Sequence, residues 1–144
     1  MGYTHYWRPV GTGTFSADKW NRICDFARKV VLDYDARVCF EEDMEYIPPH
    51  VSDEAIRFNG QGTEAHETFW LSPKLEAFQF CKTARKPYDR EVTAILAYAA
   101  MEAPDVIQVT SDGDESEWQD GLALAAKIAG KPVPYPVKED AAAD

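Results

Sequence analysis

The sequence predicts an α+β fold, a mixed or largely antiparallel sheet of about four to five strands with three helices on one side, as a two-layer sandwich. β-prone runs occur both beside one another and between helical segments, and three segments carry apolar residues at three- and four-residue steps. With 144 residues the chain suffices for one domain whose core needs no disulfide or metal staple. That domain is expected over residues 1–130.

The elements follow in order. "YTHYWRP" is short, aromatic and β-prone and stops at Pro9 before "GTGT", which makes it a first strand with Tyr3, His5 and Trp7 on one face and Thr4, Tyr6 and Arg8 on the other. "SADKWNRICDFARKVVLDY" repeats its apolar positions from Trp20 to Tyr34 at helical spacing behind Ser16 as N-cap. Residues 41–55 are acidic and contain "IPPH", which reads as a surface loop. "AIRFNGQGTEAHETFWLS" reads as two strands around a Gly-containing connection, a hairpin, and "EAFQFCKT" as another strand. A second helix is expected from Asp89, a strand in "DVIQVTSDG", and a third helix ending at Gly130. Beyond it, "KPVPYPVKEDAAAD" (131–144) reads as a flexible Pro-rich acidic tail.

Composition narrows the function classes. The formal net charge of −10 disfavours nonspecific attraction to nucleic-acid backbones or anionic lipids, whose electrostatic part needs accumulated Lys and Arg. Three cysteines at wide spacing, without CxxC pairs or Cys/His clusters, suit free thiols in a reducing cytoplasm. No stretch approaches the roughly 20 apolar residues that span a bilayer, and no basic leader precedes an apolar run, so a cytoplasmic protein without membrane partners is expected.

Against this acidity, "FQFCKTARKPYDR" concentrates Lys82, Arg85, Lys86 and Arg90. Placed between a strand and the start of a helix, they would stand beside free backbone N–H groups, and together these attract an anion. Lys82 offers a point charge, Arg85 or Arg90 a bidentate fork and Thr83 a hydroxyl donor. The competing reading is plain ion pairing with the many surface carboxylates. Tyr88 and Trp7 are candidate stacking platforms for a base, His5 shares the face of Trp7, and Asn59 ahead of Gly60 is a candidate hydrogen-bonding residue. The ligand-binding candidates are therefore Lys82, Thr83, Arg85, Lys86, Tyr88, Arg90, Trp7, His5 and Asn59, although aromatics in small sheets serve mainly as core.

Cys81 beside Lys82 has the neighbour of an activated thiol but no partner His. The acidic run Asp112, Asp114, Glu115, Glu117 and Asp120 lacks the ligand order of an EF-hand, and acids ahead of a helix are favoured by its dipole without any metal. No metal site, cofactor or catalytic residue is expected.

In "MGYTHYWRP" and "FCKTARKPYD", under a fifth of its length, the chain resembles a group of small bacteriophage and prophage proteins. The resemblance implies no catalytic residues and supplies a setting, a phage-encoded protein in a bacterial host cytoplasm. The expected function is a non-enzymatic binding protein that sequesters a small phosphorylated nucleotide signal of bacterial defence, of cyclic-nucleotide or ADP-ribose type, with oligomerisation helping to close the pocket. The alternatives are an acidic protein–protein inhibitor of a host protein and, more weakly, a small hydrolase or nuclease using His5, Glu67 and a metal.

Overall fold

The computed structural model describes residues 2–33 and 36–137. Its elements are β1 (Thr4–Pro9), α1 (Ala17–Val31), β2 (Val38–Cys39), β3 (His50–Val51), β4 (Ile56–Gly60), β5 (Phe69–Leu71), β6 (Gln79–Lys82), α2 (Asp89–Glu102), β7 (Ile107–Ser111) and α3 (Gln119–Ala129), with short 3-10 helices at Gly62–Glu64 and Glu115–Trp118. This is an α+β fold in which every strand pair is antiparallel.

The strands form two sheets. One has the order β6-β1-β7; in the other β4 is central and pairs with β2, β3 and β5, of which β3 and β5 take opposite edges because both pair with Ile56 and Arg57. The excess over the four or five strands expected comes from the two-residue ladders β2 and β3, too short to leave an alternation pattern. At one end the sheets meet through Glu67, whose N–H donates to Lys82 O (3.2 Å) and whose Oε1 accepts from Lys82 N (2.7 Å).

The helices follow from their local chemistry. Ser16 Oγ accepts from Lys19 N (3.2 Å) and caps α1, which buries Trp20, Ile23, Cys24, Phe26, Ala27 and Val30 along one stripe. α3 ends where Gly130 adopts φ 74°, the left-handed conformation that closes a helix. α2 is buried continuously from Glu91 to Ala97 because it packs against both other helices and β7. Gly121 permits the α2–α3 approach, since a Cβ there would run into the Thr93 side chain.

One core joins both sheets and all three helices, centred on Trp7, Phe58, Phe69, Ile95 and Trp118. On β1 Tyr3, His5 and Trp7 are buried as the alternation predicts and Arg8 is exposed, but Thr4 on the opposite face is buried as well and Tyr6 is half-buried. The expectation of a free tail fails over 131–137. Val133 is buried, the Tyr135 ring meets Trp118 edge-on (5.6 Å), and Tyr135 OH donates to Gly113 O (3.1 Å). Apolar residues between prolines dock in extended form without needing regular structure; residues 138–144 and Tyr34 lie outside the described residues. No helix among the described residues is long and apolar enough to cross a membrane.

Candidate functional site

The loop from β6 to α2 carries the predicted basic residues and is pinned at its start. Tyr3 O accepts from both Thr83 N (3.1 Å) and Ala84 N (3.2 Å), and Thr83 O accepts from Lys86 N (3.0 Å). Between these anchors the chain turns through two consecutive left-handed residues that are not glycine, Ala84 (φ 54°) and Arg85 (φ 58°). Such a conformation costs about 1–2 kcal/mol per residue and persists only where the surroundings enforce it. Its result is to lay the Arg85 guanidinium over the Tyr3 ring, 4.2 Å from the centroid, within reach of Glu117 Oε2 (2.9 Å).

Under this loop lies a half-open cleft of about 340 Å³ between the start of α2 and the region entering α3. Tyr3, Arg85, Lys86, Asp89, Arg90 and Glu117 line it, with Asp120 and Gly121 on the α3 side. Arg90 turns towards Glu91 Oε2 (2.7 Å) and Asp33 (3.6 Å), whereas Lys86 has no carboxylate within ion-pair distance among the described residues. Burial pushes the Glu91 carboxyl up, partly opposed by the Arg90 hydrogen bond and charge.

Tyr3 is 1% exposed, and its hydroxyl has no hydrogen-bond partner among the described residues. Burial pushes this phenol up, as do the nearby Asp89 and Glu117 charges, so it stays a donor across the physiological range. Gly113 packs directly against that hydroxyl, leaving no room for a Cβ.

Behind Tyr3, three elements converge on His5, which is wholly buried. Its Nε2 lies 2.6 Å from Asp89 Oδ1 and its Nδ1 2.8 Å from Ser111 Oγ. Ser111 Oγ already accepts from Gly113 N (2.9 Å) and Trp118 Nε1 (3.1 Å), which occupies both lone pairs, so its O–H donates to Nδ1 and Nε2 carries the hydrogen given to Asp89. Thr83 Oγ1 donates to the same Asp89 oxygen (2.6 Å). The chain Ser111–His5–Asp89 has the connectivity of a nucleophile triad, but a serine oxygen with both lone pairs engaged and a fully buried imidazole make a lock between β1, β7 and α2 rather than an attacking group.

The remaining candidates stand apart from the cleft. Lys82 lies across β1 from Thr4, its stem against Gly2. Trp7 is a core residue whose Nε1 donates to Gln79 Oε1 (3.0 Å). Tyr88 is buried with its hydroxyl given to Glu67 O (2.5 Å), and Asn59 is consumed by His66, Thr68 and Gly60. The free N–H groups expected at the start of α2 are bonded: Asp89 N to Lys86 O (2.9 Å), Arg90 N to Pro87 O (3.3 Å) and Glu91 N to Tyr88 O (3.0 Å). A tight turn runs straight into the helix and uses them.

Cys81 contradicts the activated-thiol reading, because burial and then the Glu67 charge push it up to about 12. The acidic run is spent on structure. Asp112 accepts from Thr4 N (3.1 Å) and Tyr6 OH (3.1 Å), Asp114 caps the 3-10 helix in a capping box with Glu117, and no group of metal-ligating residues forms among the described residues.

Sequence reasoning missed Asp89 and Glu117 as site residues. Asp89 carried a signal, a carboxylate beside a basic run, but only the β1–β7 register that sets His5 opposite Ser111 gives it a role. No family model matches the chain, and no curated protein or solved structure matches it either.

Proposed function

We propose that the chain is a non-enzymatic binding protein that holds a small phosphorylated nucleotide, of cyclic-nucleotide or ADP-ribose type, in the cleft between the 83–88 loop and the start of α3. The observation that carries this reading is the buried Tyr3 side chain lining the cleft with Lys86, its ring under the Arg85 guanidinium and its hydroxyl without a hydrogen-bond partner among the described residues. A buried donor without an acceptor costs about 1–3 kcal/mol, which a ligand oxygen would return.

The mixed charge of the cleft supports a nucleotide over a bare phosphate. Arg85 and Lys86 supply donors for phosphate, Arg85 exchanging Glu117 for it, while Asp89 and Asp120 supply acceptors for ribose hydroxyls. With Trp7 and Tyr88 buried, the base would stack on the guanidinium plane of Arg85. The strained backbone at Ala84 and Arg85 is the kind of cost met at ligand clamps. The saturated Ser111 oxygen supports capture rather than bond cleavage. In the phage setting that the resemblance implies, capture would withhold a nucleotide signal from a host effector.

The test is a thermal-shift screen against cyclic mononucleotides, cyclic dinucleotides and cyclic ADP-ribose isomers, with mass spectrometry of each mixture afterwards. A shift with the nucleotide returned intact, lost in Arg85→Ala/Lys86→Ala and reduced in Tyr3→Phe, is the expected result. A shift retained in the double variant removes the cleft from the reading; an altered nucleotide replaces capture with catalysis.

A further inference from the structure

Two consecutive cations, Arg85 and Lys86, line one cleft. Neighbouring side chains of an extended chain point to opposite sides; the left-handed turn through Ala84 (φ 54°) and Arg85 (φ 58°) lets both face the same space. With Cα atoms about 3.8 Å apart, adjacent residues can serve two phosphates that share a bridging oxygen.

The two cations are held differently. Lys86 has no carboxylate within ion-pair distance among the described residues, whereas Arg85 gives both Nε (3.1 Å) and Nη2 (2.9 Å) to Glu117 Oε2. This pair joins the 83–88 loop to the segment entering α3 and so spans the cleft. The other Glu117 oxygen serves the capping box, Oε1 accepting from Asp114 N (3.3 Å). Arg90, also on the cleft, is turned to Glu91 Oε2 (2.7 Å).

Charge then sorts the anions. A ligand with a single negative charge takes Lys86 and gains nothing at Arg85, where one singly charged acceptor replaces another. A ligand with two adjacent phosphates fills both places: one phosphate takes Lys86, and the second, whose charge Lys86 leaves uncompensated, draws Arg85 off Glu117. The exchange costs little, because the pair is exposed, Arg85 to 57% and Glu117 to 35%. The released Glu117 carboxylate joins Asp89 and Asp120 as an acceptor for ribose hydroxyls.

Given nucleotide capture in this cleft, on which the assignment rests, we infer that the ligand is a nucleotide carrying a diphosphate, of ADP-ribose type, and not a cyclic mononucleotide. Glu117 is the residue that tunes this preference, by keeping Arg85 engaged until a second phosphate arrives.

Isothermal titration calorimetry of the full chain with ADP-ribose, ADP and cyclic AMP tests it, with folding checked by circular dichroism; all three carry adenosine and differ in phosphate charge. ADP-ribose and ADP should each bind about tenfold more tightly than cyclic AMP, the worth of one further charged contact. Arg85→Ala should bring that ratio close to one, since any loss of base stacking falls on all three nucleotides and cancels. Glu117→Gln keeps an acceptor for the capping box but not the charge that holds Arg85, and should raise the ratio about threefold. A general loosening of the cleft weakens every nucleotide alike and does not produce opposite shifts from the two halves of one ion pair. Equal affinities in the wild type, ADP grouping with cyclic AMP, or a ratio unmoved in both variants overturns the diphosphate assignment and leaves capture standing. Binding of none of the three overturns it as well, while a thermal shift with any other nucleotide keeps the capture reading.

Discussion

Removing the Asp89 carboxylate should show how much of the fold hangs on the cleft. Asp89 Oδ1 accepts from His5 Nε2 and Thr83 Oγ1, both at 2.6 Å, and both donor residues are fully buried. In Asp89→Ala the two donors lose their acceptor at once. His5 cannot turn away, because Ser111 holds its other nitrogen, so it bears the full cost of a buried unpaired donor, about 2–3 kcal/mol. The Thr83 hydroxyl can rotate and adds about 1 kcal/mol, for a total of about 3–4 kcal/mol. Asp89→Asn keeps an acceptor oxygen and loses only the extra strength of a charged one, about 1 kcal/mol. Urea unfolding followed by circular dichroism measures both, at unchanged m-value. Asp120→Ala, in the same cleft but outside the hydrogen-bond network, should stay close to wild type. An Asp89→Ala protein within about 0.5 kcal/mol of wild type would refute the lock between β1, β7 and α2.

Three further outcomes are expected. Ala84→Gly should stabilise by roughly 0.5–1 kcal/mol, because glycine relieves the left-handed conformation at φ 54° but gains unfolded-state entropy, while Ala84→Val should destabilise; paired melting curves decide the sign. Gly121→Ala should cost about 1–2 kcal/mol by urea unfolding: overpacking against Thr93 and the Ala94 backbone outweighs the helix propensity gained. Glu91 supplies a pH test. Burial raises its carboxyl above the unfolded value, so the folded state holds the proton more tightly and this contribution to stability is lost as pH rises through the folded value. Unfolding measured from acidic to neutral pH should therefore show Glu91→Gln gaining on the wild type as pH rises.

The sequence was most informative where a single element decides its own conformation. Ser16 and Gly130 mark helix ends by local hydrogen bonding and backbone freedom, and the alternation in "YTHYWRP" sends Tyr3, His5 and Trp7 inward whatever the neighbours are. Residues 41–55 show the limit. "EEDMEY" and "IPPH" read as a loop, and the His50–Val51 ladder inside them exists only because β4 offers it an edge. Proximity of Lys82, Arg85, Lys86 and Arg90 in the chain suggested one basic patch; β-strand alternation and helix rotation send Lys82 away and turn Arg90 towards Glu91.

What the sequence by itself determined is therefore the three helices, the longer strands, the α+β class and the inward face of β1. Each depends on interactions within a few residues, or on a period that repeats along one element. What only the tertiary structure decided is which side chains share a site. The β1–β7 register brings Ser111 to His5 across more than 100 residues, the start of α2 brings Asp89 to the same imidazole, and the left-handed turn at Ala84–Arg85 folds a cation over Tyr3. Those contacts arise from packing between elements distant in sequence, and residue order alone carries no record of which distant edges will meet.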